Sequence, residues 1–231
     1  VGAYQVEHAG KTITFIDTPG HEAFHAMRSR GAKVANIAVL VVAADDGVQQ
    51  QTKEAITVAE DAGIPMIVAL NKIDKPGADE EKVKRELSQN NVFVESFGGS
   101  VPCLNTSATT KQGIPELLEM TLLVADLQHL ASDPSKDAKG VVIETSVDSR
   151  RGNSATLLVK DGTLRVGDIV GTRSTWGKAK ILQNFQGESV KVALPATPTL
   201  MIGFEEHPRV GEEFQVFESE NSAQEFLSPQ G

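Results

Sequence analysis

Three short polar segments carry the residue types that could do chemistry, and each directly follows an apolar run. If these runs are parallel strands of one sheet, the segments meet at its carboxyl edge, where open α/β sheets bind ligands. The segments are Asp17-Thr18-Pro19-Gly20-His21 after KTITFI, Asn71-Lys72-Ile73-Asp74 after PMIVAL, and Thr106-Ser107-Ala108-Thr109 after SVPCLN.

The segment NKID has the residues needed to select a guanine base. Asp74 could accept hydrogen bonds from N1–H and the exocyclic amine of guanine, a pair of donors that adenine lacks. Lys72 could lay its aliphatic stem over the base plane, and Asn71 could tie neighbouring loops together. The same four letters, with Ile73 in third place, also fit a capped turn before Pro76.

The segment TSAT offers a second contact to the base. Small residues at Ser107 and Ala108 would let a backbone N–H approach the guanine O6, which a bulky side chain would block. Thr109 ends this segment. Taken alone, it fits equally well a strand end whose Ser and Thr cap a loop.

The segment DTPGH could meet the terminal phosphate of a nucleotide. Asp17 could hold a magnesium ion through water, and the Gly20 N–H could hydrogen-bond a γ-phosphate because glycine has no Cβ. His21 could orient a water molecule for in-line attack. The competing interpretation is a turn with Pro19 and Gly20 that caps a helix from Glu22.

Strands alternate with helical patterns up to about residue 130, which predicts an open α/β sheet. Residues 37–44, 65–70 and 100–106 are almost entirely apolar, as in parallel strands covered on both faces. AYQVE and KTITFI predict a hairpin that turns at residues 8–10. Helices are predicted over residues 52–62, after a cap at Asp79, and from Gly113 to about residue 130.

The second half of the chain has a different pattern. Residues 131–139 are polar and predict a linker, and short β-like runs from about 140 to 220 predict a small antiparallel barrel. We therefore expect domains at 1–130 and 140–231. Trp176 fits either the barrel core or a partly exposed contact point.

Composition excludes several function classes. The 22 Lys and Arg against 31 Asp and Glu give a net charge of -9, which disfavours a broad nucleic-acid surface, and we expect no DNA partner. The single Cys103 cannot form an intrachain disulfide, and we expect it to be a small buried hydrophobe. No apolar run is long enough for a membrane span, so we expect a cytoplasmic protein.

The motifs in combination resemble the translational GTPases. ITFIDTPGHEAF, VAADDGVQQQT, IPMIVALNKID, TSAT and DGTLRVGD carry the resemblance, and VFVESFGGSVPCLNTSA favours the branch that acts in initiation. The resemblance implies a P-loop GTPase-type sheet followed by a β-barrel. It also implies GTP or GDP with Mg²⁺, initiator tRNA and both ribosomal subunits as ligands and partners.

Site residues carry over onto matching positions. The resemblance makes residues 17–20 the switch II phosphate contact, His21 the catalytic histidine, and residues 71–74 and 107–108 the two base-contacting loops. Thr109 departs from the Lys or Leu that the family has there, and Gln49-Gln50 depart from Met-Pro. We expect Asp45 and Asp46 to satisfy loop amides.

The remaining histidines have no supporting pattern. His25 lies one helical turn after His21, but no carboxylate pattern accompanies the pair, and His8 and His129 stand alone. We therefore expect no metal site among the histidines.

One part of a GTPase is missing from these 231 residues: no G-x-x-x-x-G-K-[ST] phosphate loop occurs, and the switch I threonine is absent too. We therefore expect an N-terminally truncated fragment that is inactive alone and holds neither nucleotide nor Mg²⁺ as a bound cofactor. The alternatives are a non-catalytic ribosome- or tRNA-binding module with a vestigial nucleotide site, and another translational GTPase. If the sheet repacks around the missing central strand, KTITFI should pair directly with IAVLVVAA.

Overall fold

The structure is a computed structural model that describes residues 2–18, 25–148 and 152–227. The chain divides into two compact units. One contains Thr18–Leu130 and the turn His8–Gly10, and the other contains Val1–Glu7, Lys11–Asp17 and Ala131–Gly231. Among the helices of the described ranges, none has the length and hydrophobicity to span a bilayer.

The predicted N-terminal hairpin is present. Strands β1 (Gly2–His8) and β2 (Lys11–Asp17) form a two-stranded sheet. Ala9 and Gly10 between them have positive φ angles of 49 and 74 degrees. A tight two-residue hairpin turn requires such angles at both positions. The Thr14 hydroxyl and the Gln5 side-chain amide both donate to the Ala196 carbonyl, which fixes the hairpin within the unit that contains residues 131–231.

The unit that contains residues 18–130 is built on a parallel sheet, which confirms the predicted α/β class. Its strands are β3 (Ala38–Ala43), β4 (Met66–Asn71) and β5 (Cys103–Asn105), in the order β3-β4-β5. The predicted third strand is shorter than expected because residues 100–102 only bridge, through Val101, to Val94. The helices are α1 (His25–Val34), α2 (Gln50–Ala62), α3 (Glu80–Gln89) and α4 (Ile114–Leu127).

The helices of this unit begin and end at the residues that local chemistry favours. The Asp79 side chain accepts from the Lys82 N–H at 2.9 Å and caps α3 as predicted. Helix α2 ends at Gly63, which has the left-handed backbone conformation of a glycine C-cap. Helix α4 starts with Pro115 in its first turn, where a missing N–H costs no helical hydrogen bond.

One face of the sheet is well packed, whereas the other is incompletely covered at β3. Leu40, Val42, Val68 and Leu70 are buried in one cluster with Ile56 and residues of α3. On the opposite face Val41 is 60% exposed. The prediction that all three strands are covered on both faces is therefore wrong at the edge strand.

Repacking of the sheet would require KTITFI to pair directly with IAVLVVAA, and this pairing is absent from the described residues. Strand β2 pairs with β1, and β3 pairs with β4 in parallel from Ala38↔Met66 to Ala43↔Asn71. KTITFI and IAVLVVAA therefore belong to different sheets, and no described strand pairs with both of them.

The other unit contains the predicted antiparallel barrel. Six strands close into a ring in the order β10-β13-β7-β6-β14-β9, and β9 returns to pair with β10. The strands are β6 (Lys139–Asp148), β7 (Gly152–Asp161), β8 (Leu164–Arg165), β9 (Ile169–Gly171), β10 (Trp176–Gln183), β11 (Ser189–Val190), β12 (Val192–Ala193), β13 (Pro198–Phe204) and β14 (Glu213–Phe217).

Two barrel elements have no counterpart in the sequence prediction. Strand β13 is an uninterrupted buried run between β7 and β10, so it lacks the polar alternation that marks the other strands. Helix α5 (Glu220–Phe226) follows the last strand and is capped by Ser219, whose hydroxyl accepts from the Ser222 N–H at 3.2 Å. Arg173 lies 4.0 Å from the centre of the Phe226 ring and holds α5 against the barrel.

The segment predicted as a linker is hydrogen-bonded along the barrel. The Asp133 N–H donates to Asp161 Oδ1 at 2.6 Å, and the Thr163 N–H donates to the Lys136 carbonyl at 2.9 Å. The chain therefore reaches β6 along a fixed path.

Strands β10 and β13 of the barrel approach each other closely. Gly203 has a φ of 135°, and a Cβ added there would lie 2.0 Å from the Lys178 carbonyl oxygen. Gly177 on the facing strand has the same constraint, since its Cβ would lie 2.3 Å from the Gly203 carbonyl oxygen. Only glycine fits at either position without moving a strand.

We predict that Gly203→Ala lowers the free energy of unfolding of the barrel by about 3 kcal/mol or more, because it adds a clash to an unfavourable φ. Trp176 is the single tryptophan and lies in β10, so its fluorescence in a urea titration reports the barrel transition. Gly187→Ala is the matched control, because Gly187 also has a positive φ but the space around it is open. The control substitution should lower the free energy of unfolding by about 1 kcal/mol. Equal losses for the two variants would contradict the close approach.

Candidate functional site

The two segments predicted to contact a base lie side by side at the carboxyl edge of the parallel sheet. Asn71 is the last residue of β4, and Ser107 follows β5 by two residues. Parallel pairing sets Leu70 opposite Asn105, so the two loops leave the sheet at the same level. The Thr106 N–H continues the ladder by donating to the Leu70 carbonyl at 2.7 Å.

Hydrogen bonds between side chains and backbone tie these two loops together. The Ser107 hydroxyl donates to Asp74 Oδ1 at 2.6 Å, and Asn71 Oδ1 accepts from the Ala108 N–H at 3.1 Å. Ser107 is fully buried, and its hydroxyl also accepts from the Thr110 N–H at 3.0 Å. Each loop therefore fixes the position of the other without a ligand.

Asp74 is exposed and keeps capacity to accept further hydrogen bonds, because each carboxylate oxygen has two lone pairs. The Ala108 N–H, in contrast, is already donated to Asn71. A contact with the guanine O6 would have to share that N–H or use the amide of Thr109.

Lys72 has a left-handed backbone conformation, with a φ of 63 degrees. Its ammonium lies 3.2 Å from Asp46 Oδ2 and 3.7 Å from Asp45 Oδ1. Ile73 follows it, and the Ile73 N–H donates to the Thr106 carbonyl at 3.4 Å. The ammonium of the predicted lysine thus lies at the turn after β3.

The turn after β3 contributes two carboxylates that the sequence did not assign to the site. Asp45 is also 2.8 Å from the Lys75 ammonium, a hydrogen bond that lowers the pKa of Asp45 and raises that of Lys75. Asp45 and Asp46 therefore pair with lysines, and Asp45 also accepts from its own backbone N–H, as expected of a carboxylate that satisfies a loop amide. Their place after a strand of the same sheet was the signal that could have indicated this role.

The phosphate-contacting segment is only partly described. Asp17 is the exposed last residue of β2, and Thr18 follows it. Pro19, Gly20 and His21 lie outside the described residues, as does Glu22, the expected start of the following helix. In the described part of the chain, no three His, Cys, Asp or Glu side chains are placed to bind a metal ion.

A cavity of about 420 Å³ lies beside β5. Lys84, Cys103, Asn105 and Glu116 are among the residues that line it. Cys103 is half-buried, and burial raises the pKa of its thiol to about 11, so the thiol stays protonated near neutral pH. Trp176, for which two interpretations were open, is half-buried at the start of β10.

Comparisons with known proteins agree with this arrangement. The sequence profile of the elongation factor Tu GTP binding domain matches residues 1–126, and that of elongation factor G domain 2 matches residues 137–217. The translation initiation factor IF-2 of Pelotomaculum thermopropionicum is 50% identical over 228 residues, which are 99% of this chain and 23% of that protein. The IF-2 of Carboxydothermus hydrogenoformans is 52% identical over 96% of this chain and 27% of that protein.

Solved structures give the same family. GDP-bound aIF5B from Aeropyrum pernix superposes with a TM-score of 0.74 and 26% identity, over 96% of this chain and 46% of that chain. A bacterial selenocysteine-specific elongation factor matches in fold, with a TM-score of 0.73. This chain spans about a quarter of the length of the two IF-2 relatives. The chain belongs to the translational GTPases, with the elongation factor Tu type of GTP-binding domain, and its relatives of about 50% identity are translation initiation factors IF-2.

Proposed function

We propose that residues 71–74 and 107–109 form the guanine-selecting part of a GTPase that acts in translation initiation. The observation that carries this proposal is the pair of hydrogen bonds, Ser107 to Asp74 and Ala108 to Asn71, which hold the two loops against each other. Such preorganisation lowers the entropy cost of binding.

The exposed carboxylate of Asp74 supplies the selectivity. It accepts from N1–H and the exocyclic amine of guanine, whereas adenine presents an acceptor at N1. The Lys72 stem covers one face of the base, and a backbone N–H at Ala108 or Thr109 meets O6. The IF-2 relatives and the GDP-bound structural relative support this assignment.

In the complete GTPase reaction, we assign contact with the terminal phosphate to residues 17–21. Asp17 would hold a Mg²⁺ ion, which would supply charge neutralisation at the phosphates. By the same assignment Thr18, Pro19 and the Gly20 N–H would contact the γ-phosphate, and His21 would orient the attacking water. The partners proposed for this reaction are initiator tRNA and the two ribosomal subunits, which join upon GTP hydrolysis, in the cytoplasm.

We predict that Asp74→Asn changes the base preference of this chain from guanine to xanthine. Xanthine has an oxygen in place of the exocyclic amine, so an Asn side-chain amide donates where the Asp carboxylate accepted. Without a phosphate loop the binding is weak, and amide chemical shifts of residues 71–74 and 107–109 report it by NMR. Guanosine, xanthosine and adenosine monophosphates are the probes. They share the same ribose phosphate, so differences in their affinities come from the base.

The wild-type chain should prefer guanosine monophosphate, and Asp74→Asn should weaken its binding about tenfold or more while strengthening that of xanthosine monophosphate. Asp61→Asn, an exposed change of the same type on α2, should alter neither affinity. Equal shifts with guanosine and adenosine monophosphates in the wild-type chain would contradict the proposed base site.

We also predict that this chain alone does not turn over GTP, since no phosphate loop holds the γ-phosphate for attack. Release of inorganic phosphate from MgGTP should equal the background rate, and His21→Ala should leave it unchanged. Tight, Mg²⁺-dependent binding with repeated turnover would refute this expectation. A chain that binds ribosomes yet shows no guanine preference would instead favour a non-catalytic module with a vestigial site.

A further inference from the structure

The turn between β3 and α2 is fixed to both neighbouring segments of its unit. The Ala44 N–H donates to the Asn71 carbonyl at 2.8 Å, and the Asp79 N–H donates to the Ala44 carbonyl at 2.9 Å. The Gly47 N–H closes the turn onto the Ala43 carbonyl at 2.9 Å. Asp45 and Asp46, which we call the acidic turn, are therefore held on a rigid backbone beside residues 71–79.

The acidic turn makes ion pairs with both lysines of the NKIDK segment. Lys72 contacts Asp46 at 3.2 Å and Asp45 at 3.7 Å, and Lys75 contacts Asp45 at 2.8 Å. The Asp45 side chain is only 17% exposed, whereas that of Asp46 is 57% exposed. Asp45 thus contacts both lysines. Asp46 lies within ion-pair distance of Lys72, and its charge also contributes to the raised pKa of Lys75.

We propose that Asp45 and Asp46 are positioning residues for base binding, an inference that rests on the guanine site proposed above. Their carboxylates hold the Lys72 ammonium at the turn after β3, so the methylene stem is extended between its left-handed backbone and that turn. A free lysine side chain loses rotamer entropy when it is ordered against a base. The acidic turn orders the stem before the base arrives, and neither carboxylate touches the base.

Asp46 and Asp74 should affect base binding in different ways. Stacking of an alkyl stem does not depend on the exocyclic amine of the base, whereas the Asp74 hydrogen bonds do. Removing the Asp46 charge should therefore lower the affinity for guanine nucleotides and the affinity for hypoxanthine nucleotides by the same factor. Changes at Asp74 should alter the ratio between these two affinities.

The test compares Asp46→Asn with Glu81→Gln in the 231-residue chain. Glu81 is a matched control because its side chain is 62% exposed and it pairs with Lys84 at 2.9 Å on α3, with the same loss of one charge. Guanosine and inosine monophosphates are titrated against each variant and followed by amide chemical shifts. The affinities are measured at low and high salt.

We expect Asp46→Asn to lower the affinities for both nucleotides equally, by about two- to fivefold at low salt, as for the loss of an exposed ion pair. The difference from wild type should shrink at high salt, because screening removes the pair in the wild-type chain. Asp46→Glu should restore most of the affinity, and Glu81→Gln should have no effect.

An Asp46→Asn variant that binds both nucleotides as the wild type does, or that loses only guanosine monophosphate, would overturn the positioning role while leaving the guanine site intact. A wild-type chain that does not prefer guanosine over adenosine monophosphate would overturn the proposed function itself, and this inference with it. The two failures are therefore told apart by the wild-type titration.

Discussion

The hydrogen bonds between the loops after β4 and β5 are the interactions on which the rest of the site depends. Parallel pairing sets Leu70 opposite Asn105, so the two loops leave the sheet at one level. Ser107 and Asn71 then join the loops through Asp74 and the Ala108 N–H. Because Ser107 is fully buried, its hydroxyl needs these partners, and leaving them unmade would cost about 1–3 kcal/mol. The demand for buried hydrogen bonds thus fixes the position of the two loops relative to each other.

Ion pairs connect the turn after β3 to the loop after β4. The turn after β3 carries two carboxylates, and the loop after β4 carries two lysines that neutralise them. Neighbouring carboxylates would otherwise repel each other, and the close Lys75 lowers the pKa of Asp45, which keeps it ionised. All three strands of the sheet therefore contribute to one edge, as is typical of ligand sites in open α/β sheets.

The sequence predicted the elements whose signals are local. The Asp79 cap, the Gly63 helix end and the alternating runs of the barrel were all readable from residue type and spacing. Strand β13 was missed because burial on both sides removes its alternation, and it is recognised only by its place between β7 and β10. The pairing of Asp45 with Lys75, 30 residues away, depends on sheet register, which no local pattern encodes. The separation of β2 from the parallel sheet is likewise a property of tertiary packing.

The hydrogen bonds between the loops after β4 and β5 can be measured directly. Amide hydrogen exchange of Ala108 reports on them, because its N–H donates to Asn71 Oδ1 at 3.1 Å across the two loops. We predict slow exchange at Ala108, which becomes fast in an Asn71→Ala variant, while amides of the barrel core exchange as before. Fast exchange at Ala108 in the wild-type chain, unchanged by Asn71→Ala, would show that the two loops are not tied to each other.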